Sequence, residues 1–365
     1  MPKIKDITTE IEKFAPLSYQ EDYDNSGLIV GNSEWSCSAI LLAIDVTENV
    51  IDEAVQKGAN LIVAHHPIVF SGLKKITGRN YVERSVIKAI KNDVAIYAAH
   101  TNIDSVIQGV NHKICDKLGL KGCKILSPAK GQLKKLVTFV PDSHIEKVRK
   151  AVFDAGAGHI GNYDSCSYNL EGMGSFRALE GTNPFVGEKG QIHFEKEIRF
   201  ETIFPKNRQK EIIRALLANH PYEEVAYDVY LLDNEFNQVG AGMIGQLETP
   251  VTEKKFLQNL KQVFNVKAIR HTSFLGKNIQ KVAVCGGAGS FLLQNAINQN
   301  ADVFISGDFK YHQFFDAEKK ILIADIGHYE SEQFTKEIFY DILIKKLPNF
   351  AIYFSEINTN PVYYF

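Results

Sequence analysis

Residues 60–67 read NLIVAHHP, an apolar run from Leu61 to Ala64 that stops abruptly at His65, His66 and Pro67. Consecutive apolar residues without polar alternation describe a strand covered on both faces, because a half-exposed strand would alternate. The design recurs along the chain. SAILLAIDVT (38–47) is a short apolar run followed by a helical stretch from Glu48 to Lys57. After a loop holding Gly72 and Gly78, residues 81–91 have helical spacing, and VAIYAAHTNID (94–104) again ends an apolar run on polar residues. Much later, KVAVCGGAGS (281–290), ADVFISGD (301–308) and KILIADIGHYESE (320–332) are each an apolar strand ending in a polar or glycine-rich turn that leads into a helical pattern. Buried strands alternating with helices predict an α/β architecture. The closing AIYFSEINTNPVYYF (351–365) reads as a last strand and an aromatic-rich tail that packs on something, another subunit being one choice.

The middle of the chain has a different rhythm. KLVTFVP (135–141), a helix around Glu146 to Ala155, a glycine-rich stretch from Gly156 to Gly190, KEIRFETIFP (196–205), a helix near Gln209 to Ala218 and EEVAYDVYLL (223–232) follow in turn. That order, β-α-β-β-α-β, is the ferredoxin-like arrangement. At 365 residues the chain is long enough for two or three domains. The reading is an inserted domain at 129–235, flanked by 1–128 and 236–365, whose two halves fold together as one α/β core.

Composition narrows the class without deciding it. Lys plus Arg is 41 and Asp plus Glu is 43, a formal charge of −2, which points neither to nucleic acid nor to an anionic membrane as a partner. The five cysteines, Cys37, Cys115, Cys123, Cys166 and Cys285, are odd in number, irregularly spaced and without a CxxC pair. They form neither a disulfide framework nor a thiolate zinc site and read as reduced thiols. MPKIKDITTEIEKF lacks the apolar core of a secretory signal, and no apolar run approaches the roughly 18 residues of a membrane span. The expected location is the cytoplasm.

Three motifs carry chemistry: His65-His66, His100-Thr-Asn-Ile-Asp104 and His328-Tyr-Glu-Ser-Glu332. Each begins where an apolar strand ends, and open α/β sheets bind ligands at the carboxyl ends of their strands. His328 and Glu332 are four apart at the start of an expected helix, so both can face one way, and His100 and Asp104 share that spacing. Adjacent histidines within a strand point to opposite faces, but at a strand end, with Pro67 following, the chain can turn both toward one place. A lone histidine here is ordinarily a hydrogen-bonded structural residue. Three such motifs together predict a metal site, with an imidazole and carboxylate donor set suited to zinc, iron, manganese or nickel. Two cations about 3.5–4 Å apart and bridged by a carboxylate would activate a water and polarise a substrate oxygen.

Other features weigh less. The Gly286–Ser290 turn offers either a phosphate cradle or a tight turn for close packing, and no GK[ST] follows to make it a P-loop. Asp308, Lys310 and His312 follow a strand and stand between crevice lining and surface, with Asp45 a further candidate of the same kind. In the middle segment, His159, Tyr163, Cys166 and His220 match no metal-ligand spacing and read as structural, with HPYEEVAYD (220–228) fixing a strand edge or a subunit contact.

Taken together, DNSGLIVG (24–31), AHHP, HTNID, AVCGGAGS, SGDFKYH and DIGHYESE resemble the NIF-three family, whose members are often labelled GTP cyclohydrolase 1 type 2 homologues. The centre, with AGAGHIGNYDSCS (155–167) and NPFVG (183–187), is similar to the insert of the long bacterial form, which resembles PII and CutA proteins. The resemblance implies a dinuclear centre with His65, His66, Asp104, His328 and Glu332 as ligands, zinc being the first choice of metal and Glu332 the bridge. It gives His100 either a supporting role behind the ligands or a proton-transfer role beside the metals. It further implies a toroidal homohexamer, a trimer of dimers, whose inserts cap the openings.

Two classes of function follow. One is a metal-dependent hydrolase acting on a small molecule, a purine nucleotide if the cyclohydrolase label holds. The other is non-enzymatic: metal storage or delivery, or a regulator whose insert senses a small molecule. A scaffold encircling another macromolecule is a third reading.

Overall fold

The computed structural model describes residues 1–365 and divides into two compact units, Met1–Pro128 with Asn237–Phe365 (unit 1) and Ala129–Phe236 (unit 2). In chain order, the first part of unit 1 contains α1 (Ile4–Phe14), β1 (Gly27–Val30), β2 (Ile40–Ala43), α2 (Glu48–Gln56), β3 (Leu61–Ala64), α3 (Tyr81–Lys91), β4 (Ala95–Ala98), α4 (Thr101–Ser105), α5 (Val110–Lys117) and β5 (Lys121–Ala129). Unit 2 contains β6 (Leu133–Pro141), α6 (Ile145–Asp154), β7 (Ser167–Arg177), β8 (Ile192–Pro205), α7 (Gln209–Asn219) and β9 (Tyr227–Leu232). The chain returns to unit 1 with β10 (Phe236–Thr252), α8 (Glu253–Val263), β11 (Arg270–His271), β12 (Asn278–Ala288), α9 (Leu293–Asn298), β13 (Val303–Gly307), β14 (Leu322–Asp325), α10 (His328–Glu332), α11 (Thr335–Ile344) and β15 (Ile352–Phe354).

Unit 1 is a mixed α/β fold with two sheets, ordered β1-β4-β3-β2-β15 and β11-β14-β13-β12-β10-β5. The central strands of each are parallel, and β1, β10 and β11 pair antiparallel with their neighbours. The two parts of the chain exchange strands: β15 joins β2 of the first sheet, and β5 joins the second. The unbroken apolar strands follow from this layering, because both faces of each sheet are covered. In β3, Leu61 and Val63 face a core shared by the two sheets, while Ile62 and Ala64 face α2 and α3 on the other side. In β13, Val303 and Ile305 enter the shared core while Phe304 packs outward with Leu293 and Ala296 of α9. Helix starts follow local chemistry: Thr47 accepts from Val50 N–H to cap α2, and Asn80 accepts from Glu83 N–H to cap α3. ADVFISGD departs from its expected helical sequel, leading into a 3-10 stretch at Tyr311–Ala317.

Unit 2 is one four-stranded antiparallel sheet, ordered β7-β8-β6-β9. One face packs on α6 and α7 through Leu136, Val140, Phe200, Phe204, Val148 and Ile212. No helix of the molecule is long and apolar enough to cross a membrane.

Candidate metal centre

His65 and His66 follow β3, and both of their amide N–H groups donate to the Ile44 carbonyl, at 3.1 and 2.9 Å. Two successive residues opposite one acceptor form a bulge, which cancels the alternation that would send the rings to opposite faces. Their ring centroids therefore lie 4.7 Å apart. His100 follows β4 and leads into α4, which carries Asp104. His328 and Glu332 begin and end α10, one turn apart on one side.

The three motifs converge. Glu332 Oε2 lies 3.0 Å from His66 Nε2 and 3.1 Å from His328 Nε2, and those two nitrogens are 3.3 Å apart. Glu332 Oε1 lies 3.5 Å from His65 Nε2, which is 3.7 Å from Asp104 Oδ1. One carboxylate thus turns each of its oxygens to a different group of donors. Ligand atoms held at about 2.05 Å from a tetrahedral zinc stand about 3.3 Å from one another, close to the spacing here. Donor atoms of His65, His66 and His100 also lie within 4.8 Å of one another, so His100 stands beside the cluster.

Every imidazole is oriented from behind. Nδ1 of His65 donates to the Ala99 carbonyl (3.0 Å), of His66 to Asp45 Oδ1 (2.7 Å), of His100 to Asp24 Oδ1 (2.8 Å) and of His328 to Asp308 Oδ2 (2.8 Å). None of these oxygens can donate a hydrogen, so Nδ1 keeps its proton and, once the ring is neutral, the Nε2 lone pair is the one left for a ligand. Imidazoles that bind metals are held in this way, by a carboxylate or carbonyl on the far nitrogen. Two atoms at the centre, His65 Nε2 and Asp104 Oδ1, are sealed from solvent with no hydrogen-bond partner. Each costs about 1–3 kcal/mol in that state. A cation between them would satisfy both, so the donor set fits a metal.

The electrostatics agree. Burial lowers the proton affinity of His66, but Asp45 and Glu332 outweigh it and raise its pKa to about 10. Burial likewise opposes protonation of His328, and Glu332 and Asp308 raise it to about 9. Asp104 is pushed up to about 7 by burial and by the charge of Glu332. Glu332 goes the other way: burial would raise it, and the surrounding imidazoles hold it well below the usual carboxylate range. Two buried carboxylates here call for positive charge.

The Gly286–Ser290 turn serves the site differently from a phosphate cradle. Three of its five amides are already used: Gly286 N–H donates to Asn111 Oδ1, Gly287 N–H to Ser331 Oγ and Gly289 N–H to Ser306 Oγ, at 2.8–2.9 Å. Gly287 has φ +63°, and a Cβ there would come within 2.3 Å of Glu332 Oε1. The glycine makes the space in which the Glu332 carboxylate lies.

A crevice of about 960 Å³ opens over His66, His100, Asp104, His328 and Glu332. Tyr23 and Phe70 form part of its wall, with centroids 6.1 Å apart and Phe70 edge-on to His100 at 6.1 Å. Asp45 and Asp308 line it as well, whereas Lys310 and His312 are exposed outside it. The C-terminal tail packs on its own chain here: Asn360 and Tyr364 line the crevice, and Thr359 donates to Asp45 Oδ2 at 2.6 Å. Sequence reasoning gave no role to Asp24 or Thr359, which lie 76 and 314 residues from the groups they hold, beyond any local spacing.

The unit 2 candidates do not assemble. His220 accepts from Tyr222 N–H at Nδ1 (3.1 Å) and donates from Nε2 to the Phe139 carbonyl (3.0 Å), so both ring nitrogens are used on backbone. His159 is exposed, and no metal-sized grouping includes it, Cys166 or His220.

A family model described as Duf34/NIF3 (NGG1p interacting factor 3) matches residues 2–361. The GTP cyclohydrolase 1 type 2 homolog of Halalkalibacterium halodurans is 41% identical over 355 residues, covering 96% of this chain and 95% of its own. The protein of the same name from Bacillus subtilis is 38% identical over 360 residues, with the same coverage of both. Among solved structures, a Bacillus cereus protein related to NIF3 superposes with a TM-score of 0.87 at 40% identity, covering 100% of this chain and 99% of the other.

Proposed function

The chain belongs to the Duf34/NIF3 family, and from that premise we propose that it is a metal-dependent hydrolase with a dinuclear centre. His65 and Asp104 would hold one cation, His66 and His328 the other, and Glu332 would bridge them. The observation that carries this reading is the division of Glu332, whose Oε1 faces His65 and whose Oε2 faces His66 and His328. Zinc is the first choice of metal, with iron, manganese and nickel compatible with the same donors.

A bound cation pair supplies an activated water and polarises the group under attack. The protein's own residues do the rest. Asp24 fixes His100 through Nδ1, so its Nε2 can take a proton and return it to the leaving group. Tyr23 and Phe70 offer flat apolar faces to a planar substrate and shield the reacting carbon from bulk water.

The names of the relatives point to a purine nucleotide. The crevice lining holds seven carboxylates (Glu21, Asp45, Asp104, Asp308, Asp325, Glu330 and Glu332) against one guanidinium, Arg270, which already pairs with Asp325. Phosphates would find little but the cations to bind. We therefore propose that the hydrolysed group is an uncharged heterocyclic or amide carbon, and that a nucleoside serves better than its triphosphate. A storage protein has no need of a crevice walled by aromatic rings beside its donors, which favours catalysis.

We also read unit 2 as a ferredoxin-like domain of the PII/CutA kind, inserted between the two parts of unit 1. Its β-α-β-β-α-β order and its strand order β7-β8-β6-β9 support this. The family likeness further suggests a toroidal homohexamer, for which light scattering should give the mass of six 41.0 kDa chains.

The test is turnover of guanosine, GTP and a panel of cyclic amides by metal-loaded protein and by Glu332→Ala. Hydrolysis that vanishes in the variant supports the reading. Product that persists in it removes this site from the chemistry.

A further inference from the structure

Unit 2 has a second hollow that the proposed hydrolysis does not use. In β6 and β8, side chains alternate between the two faces of the sheet. Leu136, Val140, Phe200 and Phe204 pack against α6 and α7, so Phe139, Glu197 and Arg199 emerge on the other face. In register with them lie Leu170 opposite Arg199, and Gly172 opposite Glu197. The hollow on this face has a volume of about 780 Å³, within the range of small-molecule sites.

Its construction is specific. Phe176, Phe185 and Tyr222 form an aromatic wall, with Tyr222 6.2 Å from Phe176 and 6.1 Å from Phe185. Glycine at position 172 removes a side chain from the floor. At 174, a Cβ would come within 2.2 Å of Glu197 Oε2, so glycine leaves the room in which that carboxylate lies down across β7. Tyr222 donates its hydroxyl to Glu197 Oε1 at 2.8 Å and fixes the carboxylate among the rings. The hollow is acidic: Glu171, Glu197, Glu223 and Glu224 line it against Arg177 and Arg199, and Arg199 is already paired with Glu201.

We propose that this hollow binds a small organic cation, an amine or quaternary ammonium carried on an apolar body. Aromatic faces around a fixed carboxylate attract such a group through both cation–π and ionic terms. An anion would meet a surplus of carboxylates. A neutral apolar molecule would cover Glu197 without giving its charge a partner, which costs free energy. The occupant is thus selected by charge as well as by shape, in a unit separate from the proposed metal centre.

The experiment is isothermal titration of the full chain with benzyltrimethylammonium and phenethylammonium, alongside phenylethanol as a neutral analogue and phenylacetate as an anionic one. Both cations should bind saturably, one per chain, and both controls at least about 10-fold more weakly. Glu197→Gln should weaken the cations by about 10-fold or more. Phe185→Ala removes a ring that is 49% exposed and outside the core, so it tests the wall in a folded protein, and it should weaken them several-fold. Metal content should be unchanged in both variants. The proposal is overturned by the absence of saturable binding of either cation up to about 5 mM. It is equally overturned if phenylethanol or phenylacetate binds as well as the cations, or if both variants retain wild-type affinity.

Discussion

Gly287→Ala tests how the glycine-rich turn and the metal centre depend on one another. Two costs are separable. The backbone at 287 has φ +63°, where alanine is disfavoured by about 1 kcal/mol relative to glycine. In a unit of this size that should lower the melting temperature by about 2 °C. The second cost is steric. The new Cβ would lie 2.3 Å from Glu332 Oε1, where ordinary carbon–oxygen contact begins near about 3.3 Å, so the carboxylate must move by about 1 Å. The turn cannot yield instead, because Gly287 N–H donates to Ser331 Oγ and its carbonyl accepts from Ser306 Oγ. A ligand constellation tolerates roughly 0.5 Å of displacement, so affinity for the cation on the Oε1 side should fall by about 100-fold or more. Gly58→Ala is the control. It has φ +68° and nothing within 4 Å of its Cβ, so it carries the backbone cost alone. Titration of chelator-treated protein with Zn²⁺, with a parallel thermal melt, reads both terms. Wild-type metal affinity in Gly287→Ala, or an equal loss of affinity in Gly58→Ala, would contradict this dependence of the site on the glycine.

Asp45→Ala removes the carboxylate behind His66 and should weaken metal binding about 10–100-fold, while Thr359→Val, one hydrogen bond further out, should cost only several-fold; equal losses in a metal titration would contradict that hierarchy. Metal uptake should release protons. His66 and His328, raised to about 10 and about 9, are charged at pH 7.5 in the chelated protein and must give up those protons to bind a cation. Titrations in buffers of different ionisation enthalpy should therefore report about two protons released. Because both folded-state values lie above the unfolded one, their stabilising contribution is complete below about pH 6.5 and is lost as pH rises through about 9 to 10. Chelated protein should accordingly lose melting temperature across that window and metal-loaded protein should not. In unit 2, His220→Ala would leave the Phe139 carbonyl and Tyr222 N–H without their partner, at a cost of about 1–3 kcal/mol, with metal content unaffected.

The α/β class and the strand positions were legible because burial on both faces leaves a local trace: unbroken apolar runs such as Leu61–Ala64, halted by polar residues. The convergence of the three motifs was expected from strand-end chemistry, and the structure brings their side chains within a few ångströms. What made it possible for His65 and His66 to share one side, the doubled hydrogen bond to Ile44, has no sequence signature. The exchange of β5 and β15 between the sheets was equally silent, because strand pairing between distant segments depends on tertiary packing. The glycine-rich turn was ambiguous for a physical reason. Glycines that admit a phosphate and glycines that admit a neighbouring carboxylate look the same until the neighbour is known, and here it is Glu332, 45 residues downstream.

The proposed chemistry requires that Glu332 stand between two cations. An anomalous difference map, recorded at the metal's absorption edge from metal-loaded crystals, examines it directly. It should show two peaks about 3.5–4 Å apart, one beside His65 and Asp104 and the other beside His66 and His328. A single peak, or density away from Glu332, would contradict it.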